Sequence, residues 1–104
     1  MQPAAQRPDI EDWAVRAREP VAADTAAGAV LLSLKAQKYF SFNATAAAIW
    51  ARLERPAQLS RIRDEIAREF HAPPGEVETA LLDFIANLLA QEIVTVRKQP
   101  FAAE

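Results

Sequence analysis

Residue types that catalyse reactions are few in this 104-residue sequence, and they are spread along it. The single histidine, His71, lies at the end of a predicted helix, where the helix dipole favours a solvated, partly charged side chain. The serines lack a neighbouring histidine and aspartate that could activate them. Glu76 and Glu78 are two residues apart and therefore face different sides of a helix. We expect a protein that is not an enzyme.

The chain offers equally little to a metal ion or an organic cofactor. It has no cysteine, which excludes disulfides and thiolate metal sites and fits a reducing compartment. Its two glycines, Gly28 and Gly75, cannot form a glycine-rich phosphate loop. Because His, Asp and Glu residues do not cluster in the sequence, we expect neither a metal site nor a cofactor.

Charge and hydropathy predict a cytoplasmic protein without a membrane partner. Twelve Lys and Arg against 14 Asp and Glu give a net charge of −2, which does not attract polyphosphate or anionic lipid. No apolar run approaches the ~20 residues that span a bilayer. Residues 1–13 lack the apolar core of a signal peptide.

Length and composition predict one domain, with 51% hydrophobic residues to form a single core. We expect a disordered tail at residues 1–12, an ordered domain at 13–97 and a flexible tail at 98–104. The expected strands cover residues 13–25, which Pro20 makes a broken or edge strand, 29–34 and 38–42. The expected helices cover residues 44–54, 59–70 and 74–91, and a short β-like end follows at 93–96. The fold class is therefore α+β, with a three-stranded antiparallel sheet followed by three helices.

The last two helices and the β-like end resemble a winged helix-turn-helix. In that fold the third helix enters the major groove of DNA. Residues 74–92 hold four acidic residues and no Lys or Arg, and DNA phosphates repel such a helix. We expect no nucleic-acid partner, and a winged-helix regulator or another protein-interaction module is the alternative function.

The predicted strand with the sequence KYFSF is the best candidate for a binding site. Side chains alternate along it, with Lys38, Phe40 and Phe42 on one face and Tyr39 and Ser41 on the other. The third helix has more apolar residues than packing on one side requires. If the strand lies at a sheet edge, an extended peptide can add itself there as a further strand, beside an apolar groove.

Four segments in order resemble the PqqD-like family, whose members are also called recognition elements for ribosomally made, post-translationally modified peptides (RiPPs). They read LLSLKAQKYFSFN, AAIWARL, IRDEIAREF and LLAQEIV. They are similar to the family's hairpin, its first helix, the end of its second helix and the end of its third. The resemblance covers residues 14–96.

This resemblance implies both a fold and a function. It implies a three-stranded sheet packed on three helices, and a domain that binds the leader segment of a precursor peptide for a modifying or cleaving enzyme. In the family the leader adds along the third strand, which here implies binding by Lys38, Tyr39, Phe40, Ser41 and Phe42. On the third helix it implies a flank from which we select Val77, Leu81, Leu82 and Ile85.

The resemblance also implies partners. The KYF-x-FN run is similar to stand-alone recognition proteins of lasso-peptide systems, in which a separate peptidase cuts the leader. The expected partners are therefore a precursor leader peptide and a leader peptidase or other modifying enzyme. Because an unfilled edge strand can pair with a second copy, we expect a monomer or a weak dimer through residues 38–42.

Two departures from the family pattern concern glycine. Gln37 stands at a turn position, and Glu92 at the end of the third helix, where the family often has glycine. A left-handed backbone is less favourable for these residues than for glycine. Both departures lie outside the proposed strand.

Overall fold

The computed structural model describes residues 8–18, 20–34 and 37–101. Within these ranges lie the helices α1 (Ala44–Arg52), α2 (Leu59–Glu69) and α3 (Pro74–Ala90). The same ranges hold the strands β1 (Trp13–Arg16), β2 (Val21–Thr25), β3 (Gly28–Ser33), β4 (Lys38–Asn43), β5 (Ala57–Gln58) and β6 (Val94–Arg97). The predicted α+β class and the three predicted helices are confirmed, and each helix ends one or two residues before its predicted end.

The predicted three-stranded antiparallel sheet is confirmed as β2-β3-β4, but the prediction missed a second sheet. The structure has two antiparallel sheets, with strand orders β5-β1-β6 and β2-β3-β4. Residues 13–25 form two strands that belong to different sheets. Proline has no N–H to donate to a ladder, so β1 ends before Pro20 and β2 begins directly after it.

The first sheet joins the start of the domain to its end. β1 lies between β5 and β6, with Trp13 opposite Arg97 and Arg16 opposite Val94. The Arg16 guanidinium donates to the carbonyl oxygen of Trp50 at 3.2 Å and lies 5.2 Å from the centre of the Trp50 ring. These contacts fix the sheet to helix α1.

The predicted tails are only partly covered by the described residues. Residues 1–7 and 102–104 lie outside them. Next to β1, the Asp9 N–H donates to the buried Asp12 carboxylate at 2.9 Å, and Lys98 pairs with that carboxylate at 3.1 Å. This ion pair connects the two ends of the domain.

Gly28 allows β3 to approach the end of β4 closely. A Cβ on Gly28 would lie 2.6 Å from the carbonyl carbon of Asn43 and would overlap the carbonyl oxygen of Phe42. Gly28 also has a φ of 156°, which few other residues adopt. Asn43, directly opposite in the ladder, caps α1, since its Oδ1 accepts the N–H of Ala46 at 2.8 Å. Gly28 therefore determines where β4 passes into α1.

Gln37 and Glu92, which replace glycines of the family pattern, both have a left-handed backbone. Gln37, directly before β4, has φ 56°, and Glu92, just after α3, has φ 62°. At the end of α3 the Glu92 N–H donates to Leu89 at 3.0 Å and the Ile93 N–H donates to Leu88 at 3.1 Å. This is the pattern of a Schellman motif, with a glutamate where glycine is common.

The core lies between the three helices and the inner face of the β2-β3-β4 sheet. Its most deeply buried side chains include Leu31, Leu53, Leu59, Ile62, Ile66, Leu81 and Ile85. Ion pairs connect the helices on the outside. Arg52 of α1 donates to Glu65 of α2 at 2.9 Å, and Arg63 of α2 donates to Glu78 of α3 at 2.8 Å.

Two further findings bear on the classes of function. No helix in the described ranges combines the length and the apolar character that crossing a bilayer requires. Among the described side chains, no three His, Asp or Glu residues gather into a group that could hold a metal ion.

Gly28→Ala should lower the free energy of unfolding by about 1–3 kcal/mol, because the methyl group meets backbone atoms and the φ is strained. Urea unfolding measures this change. Gly75→Ala is the matched control, since a Cβ there has no neighbour within 4 Å. In helix α3 that control should be neutral or stabilise by up to about 1 kcal/mol. Equal effects of the two substitutions would contradict the role of Gly28.

Glu65→Gln should destabilise the protein at pH 7 by up to about 1 kcal/mol, and this difference should vanish in acid. The hydrogen bond from Arg52 lowers the pKa of Glu65 in the folded protein. The carboxylate therefore stabilises the fold above its unfolded pKa of about 4.3, and this stabilisation is lost as pH falls through the lower folded pKa. Urea unfolding at pH 7 and pH 3 tests this, with the exposed Glu54→Gln as control. A difference that does not depend on pH would contradict it.

Candidate functional site

A cleft of about 450 Å³ lies between strand β4, the start of α1 and the last two turns of α3. It is lined by Phe40, Ser41, Phe42, Asn43, Ala46, Phe84, Asn87, Leu88 and Gln91. This lining combines aromatic and aliphatic side chains with three amides, and none of its residues is charged. Such a surface suits apolar groups that are joined by a polar backbone.

Helix α3 contributes one stripe to the cleft and runs antiparallel to β4. The stripe consists of residues 84, 87, 88 and 91, whose spacing places them on one side of a helix. Near one end the Phe84 ring meets the Phe42 ring edge-on at 5.2 Å. At the other end Lys38 Nζ donates to Gln91 Oε1 at 3.2 Å. From Lys38 to Phe42 a strand extends about 13 Å, which matches roughly four residues of an extended peptide.

Phe42 holds β4 in place beside the cleft. Its side chain is 7% exposed, and its ring centre lies 5.9 Å from that of Trp50 in α1 and 5.2 Å from that of Phe84 in α3. One strand residue thus connects β4 to two helices. The width of the cleft depends on these two ring contacts.

Strand β4 has an open edge. In the β2-β3-β4 sheet it pairs with β3 on one side, and no strand among the described residues pairs with its other side. Phe40 and Phe42 face inward, so the side chain of Ser41 faces the other way. Ser41 nevertheless lines the cleft, which shows that its backbone lies at the edge of β4 that borders the cleft. The open edge and the cleft are therefore neighbours.

The ladder determines which backbone groups of β4 point to this edge. The carbonyl oxygen of Phe42 lies against Gly28, so this carbonyl points towards β3. The N–H of Gly28 donates to Thr25 Oγ1 at 3.1 Å, on the side of β2. Hydrogen-bonded and non-bonded pairs alternate in an antiparallel ladder. The N–H and C=O groups of Tyr39 and Ser41 therefore point to the open edge, whereas those of Phe40 and Phe42 bond to β3.

The structure places the five strand residues selected from the sequence together in β4. Phe40, Ser41 and Phe42 line the cleft, and Lys38 lies at its end. Tyr39 is 72% exposed and has its side chain on the opposite face of the sheet. That these residues bind a peptide stays a prediction.

The helix residues selected from the sequence lie elsewhere. Val77, Leu81 and Ile85 are buried in the core, and none of the three lines the cleft. Leu82 is half-buried and is not part of the cleft lining. The cleft uses a neighbouring stripe nearer the end of α3, which the sequence analysis missed. Helical spacing alone does not distinguish the stripes, because α3 has apolar residues in both.

A known protein family matches the part of the chain that contains the cleft. The family model of coenzyme PQQ synthesis protein D (PqqD) matches residues 28–94, which include β3, β4, all three helices and the cleft. The chain belongs to the PqqD family. The resemblance drawn from the sequence is thereby confirmed. No curated protein matches this PqqD-family sequence.

Two solved structures resemble this member of the PqqD family. TbiB1 in complex with the TbiA(beta) leader peptide is 30% identical, with a TM-score of 0.69 over 77% of this chain and 93% of TbiB1. The PqqD truncation of Methylobacterium extorquens PqqCD, described as a stand-alone RiPP recognition element, is 18% identical. Its TM-score is 0.67 over 80% of this chain and 88% of that chain, and it shares the fold.

Proposed function

We propose that the protein is a non-catalytic adaptor that binds the leader segment of a ribosomally made precursor peptide. It presents this leader to an enzyme that modifies or cleaves the precursor in natural-product biosynthesis. The observation that carries the proposal is the open edge of β4 beside an uncharged, largely apolar cleft. Membership of the PqqD family and similarity to TbiB1, which was solved with a leader peptide, support it.

The leader would bind as a fourth strand of the β2-β3-β4 sheet. Its backbone would exchange hydrogen bonds with Tyr39 and Ser41, and these bonds would set its register. Alternate leader side chains would point towards α3, where two apolar ones fit between Phe40, Phe84 and Leu88. Lys38 at the end of the cleft favours an acidic leader residue nearby.

The partner enzyme and the product class go beyond the family assignment. We propose a leader peptidase or another modifying enzyme of the same pathway as the partner, in the cytoplasm. The KYF-x-FN run favours a lasso-peptide system, and this product class stays a prediction.

The alternative, a winged-helix regulator, fits the observations less well. Helix α3 contains Glu76, Glu78 and Asp83 and no Lys or Arg. Without Lys or Arg, this helix cannot make the contacts to phosphates that supply most of the affinity for DNA. A second copy of the chain could pair with the open edge of β4, but it would then compete with the leader.

Ser41→Pro should weaken leader binding at least tenfold, because proline has no N–H to donate to the added strand. The Ser41 side chain is exposed, and an open edge tolerates proline, so the fold should persist. Fluorescence polarisation measures the affinity, with labelled leaders from the short open reading frames beside this gene.

Ser41→Ala is the matched control, because it loses the hydroxyl and keeps the N–H; its affinity should stay within about twofold of the wild type. Phe40→Pro is the contrasting variant. The N–H that this variant loses is hydrogen-bonded to β3 in the wild type, so Phe40→Pro should lower the unfolding midpoint. If Ser41→Pro is folded by circular dichroism and binds the leader as tightly as the wild type, strand addition at β4 is contradicted.

A further inference from the structure

The β2-β3-β4 sheet has a second, outer face, which the cleft reaches only at Ser41 and Asn43 on the edge of β4. Its inner face carries buried side chains such as Leu31 and Phe42. On the outer face Val21, Leu32 and Tyr39 lie directly opposite one another across the three strands. These three side chains form a continuous apolar row from β2 to β4.

This row is open to solvent. Val21 is 63% exposed, Leu32 46% and Tyr39 72%, and Leu34, which follows β3, is 71% exposed. These four are all of the exposed large hydrophobic residues in the part of the chain that the structure describes. Exposed apolar residues are normally scattered, so the position of three of the four on one face marks an interaction surface.

The outer face also lacks charge. Its strand positions are Val21, Ala23, Thr25, Gly28, Val30, Leu32, Tyr39, Ser41 and Asn43. Alternation turns the two charged strand residues, Asp24 and Lys38, towards the inner face. Depletion of charge and an exposed tyrosine are typical of the centre of a protein–protein interface.

The face alone is too small for a stable complex with a second copy or with any other partner. Three strands of five residues cover about 14 Å by 17 Å, or roughly 240 Å². Stable interfaces bury about 800 Å² of accessible surface on each partner, which is more than a patch with this footprint supplies. The occupant must therefore gain contact area beyond this sheet.

The leader supplies part of that area. A leader strand on the open edge of β4 would continue the sheet next to Tyr39 and Ser41. Those of its side chains that do not enter the cleft would extend the row of Val21, Leu32 and Tyr39 on the outer face. The outer face and the proposed leader site thus form one continuous surface.

We propose that this outer face docks the enzyme that acts on the bound leader, and that the outward side chains of the leader complete the docking surface. The inference rests on the proposed function and assigns a site to its enzyme partner. The partner would carry a matching uncharged, apolar patch. It would bind the leader-loaded adaptor at least fivefold more tightly than the empty one.

The double substitution Val21→Thr and Leu32→Thr tests this docking face. Both positions lie away from the β4 edge, and threonine keeps the preference for a strand. The probe is a purified peptidase or peptide-modifying enzyme chosen from the genes beside this one, and biolayer interferometry measures its affinity for the leader-loaded adaptor. We expect at least tenfold weaker enzyme binding, with leader affinity within twofold of the wild type. The control, Arg55→Ala with Arg68→Ala, changes exposed residues elsewhere and should leave both affinities unchanged.

Three results would overturn the inference in distinguishable ways. If the folded double variant binds leader and enzyme as the wild type does, the docking face is wrong and the adaptor function stands. If sedimentation velocity shows a wild-type dimer that the double variant abolishes, the face serves a second copy. If the wild type binds no leader at all, the proposed function fails, and this inference fails with it.

Discussion

The placement of Phe42 between Trp50 and Phe84 is the contact on which the rest of the site depends. Ring centres at 5.9 Å and 5.2 Å connect the edge strand to α1 and α3, and aromatic pairs of this kind contribute about 0.5–1.5 kcal/mol beyond burial. Because Phe42 points inward and bonds to β3, the N–H and C=O groups of the neighbouring Ser41 point to the open edge of β4, beside α3. Gly28 makes this placement possible, since a larger residue would push against the carbonyl of Phe42.

At the end of the cleft formed by Lys38 and Gln91, two neighbouring residues have an unfavourable backbone conformation. Strand β4 begins directly after Gln37 and α3 ends just before Glu92, and both residues are left-handed at a cost of about 1–2 kcal/mol each. Between them Lys38 donates to Gln91 across the cleft. The core and the ion pairs between the helices must offset this cost. The two left-handed residues thus lie beside the hydrogen bond from Lys38 to Gln91.

Local patterns in the sequence predicted the helices and strands β3 and β4, because these depend on neighbours along the chain. The division of residues 13–25 was missed, since Pro20 indicates a break but not that β1 pairs with a strand more than 75 residues away. The helical side of the cleft was also missed. Apolar stripes on α3 run through Leu81 and through Phe84, and only packing against Phe42 decides which one meets β4.

Backbone hydrogen exchange followed by NMR, with and without saturating leader peptide, tests the central claim most directly. Strand addition predicts that the amides of Tyr39 and Ser41, which point to the open edge, exchange much more slowly in the complex. The amides of Phe40 and Phe42 already bond to β3 and should change less. Protection elsewhere, with none at Tyr39 and Ser41, would contradict leader binding at the edge of β4.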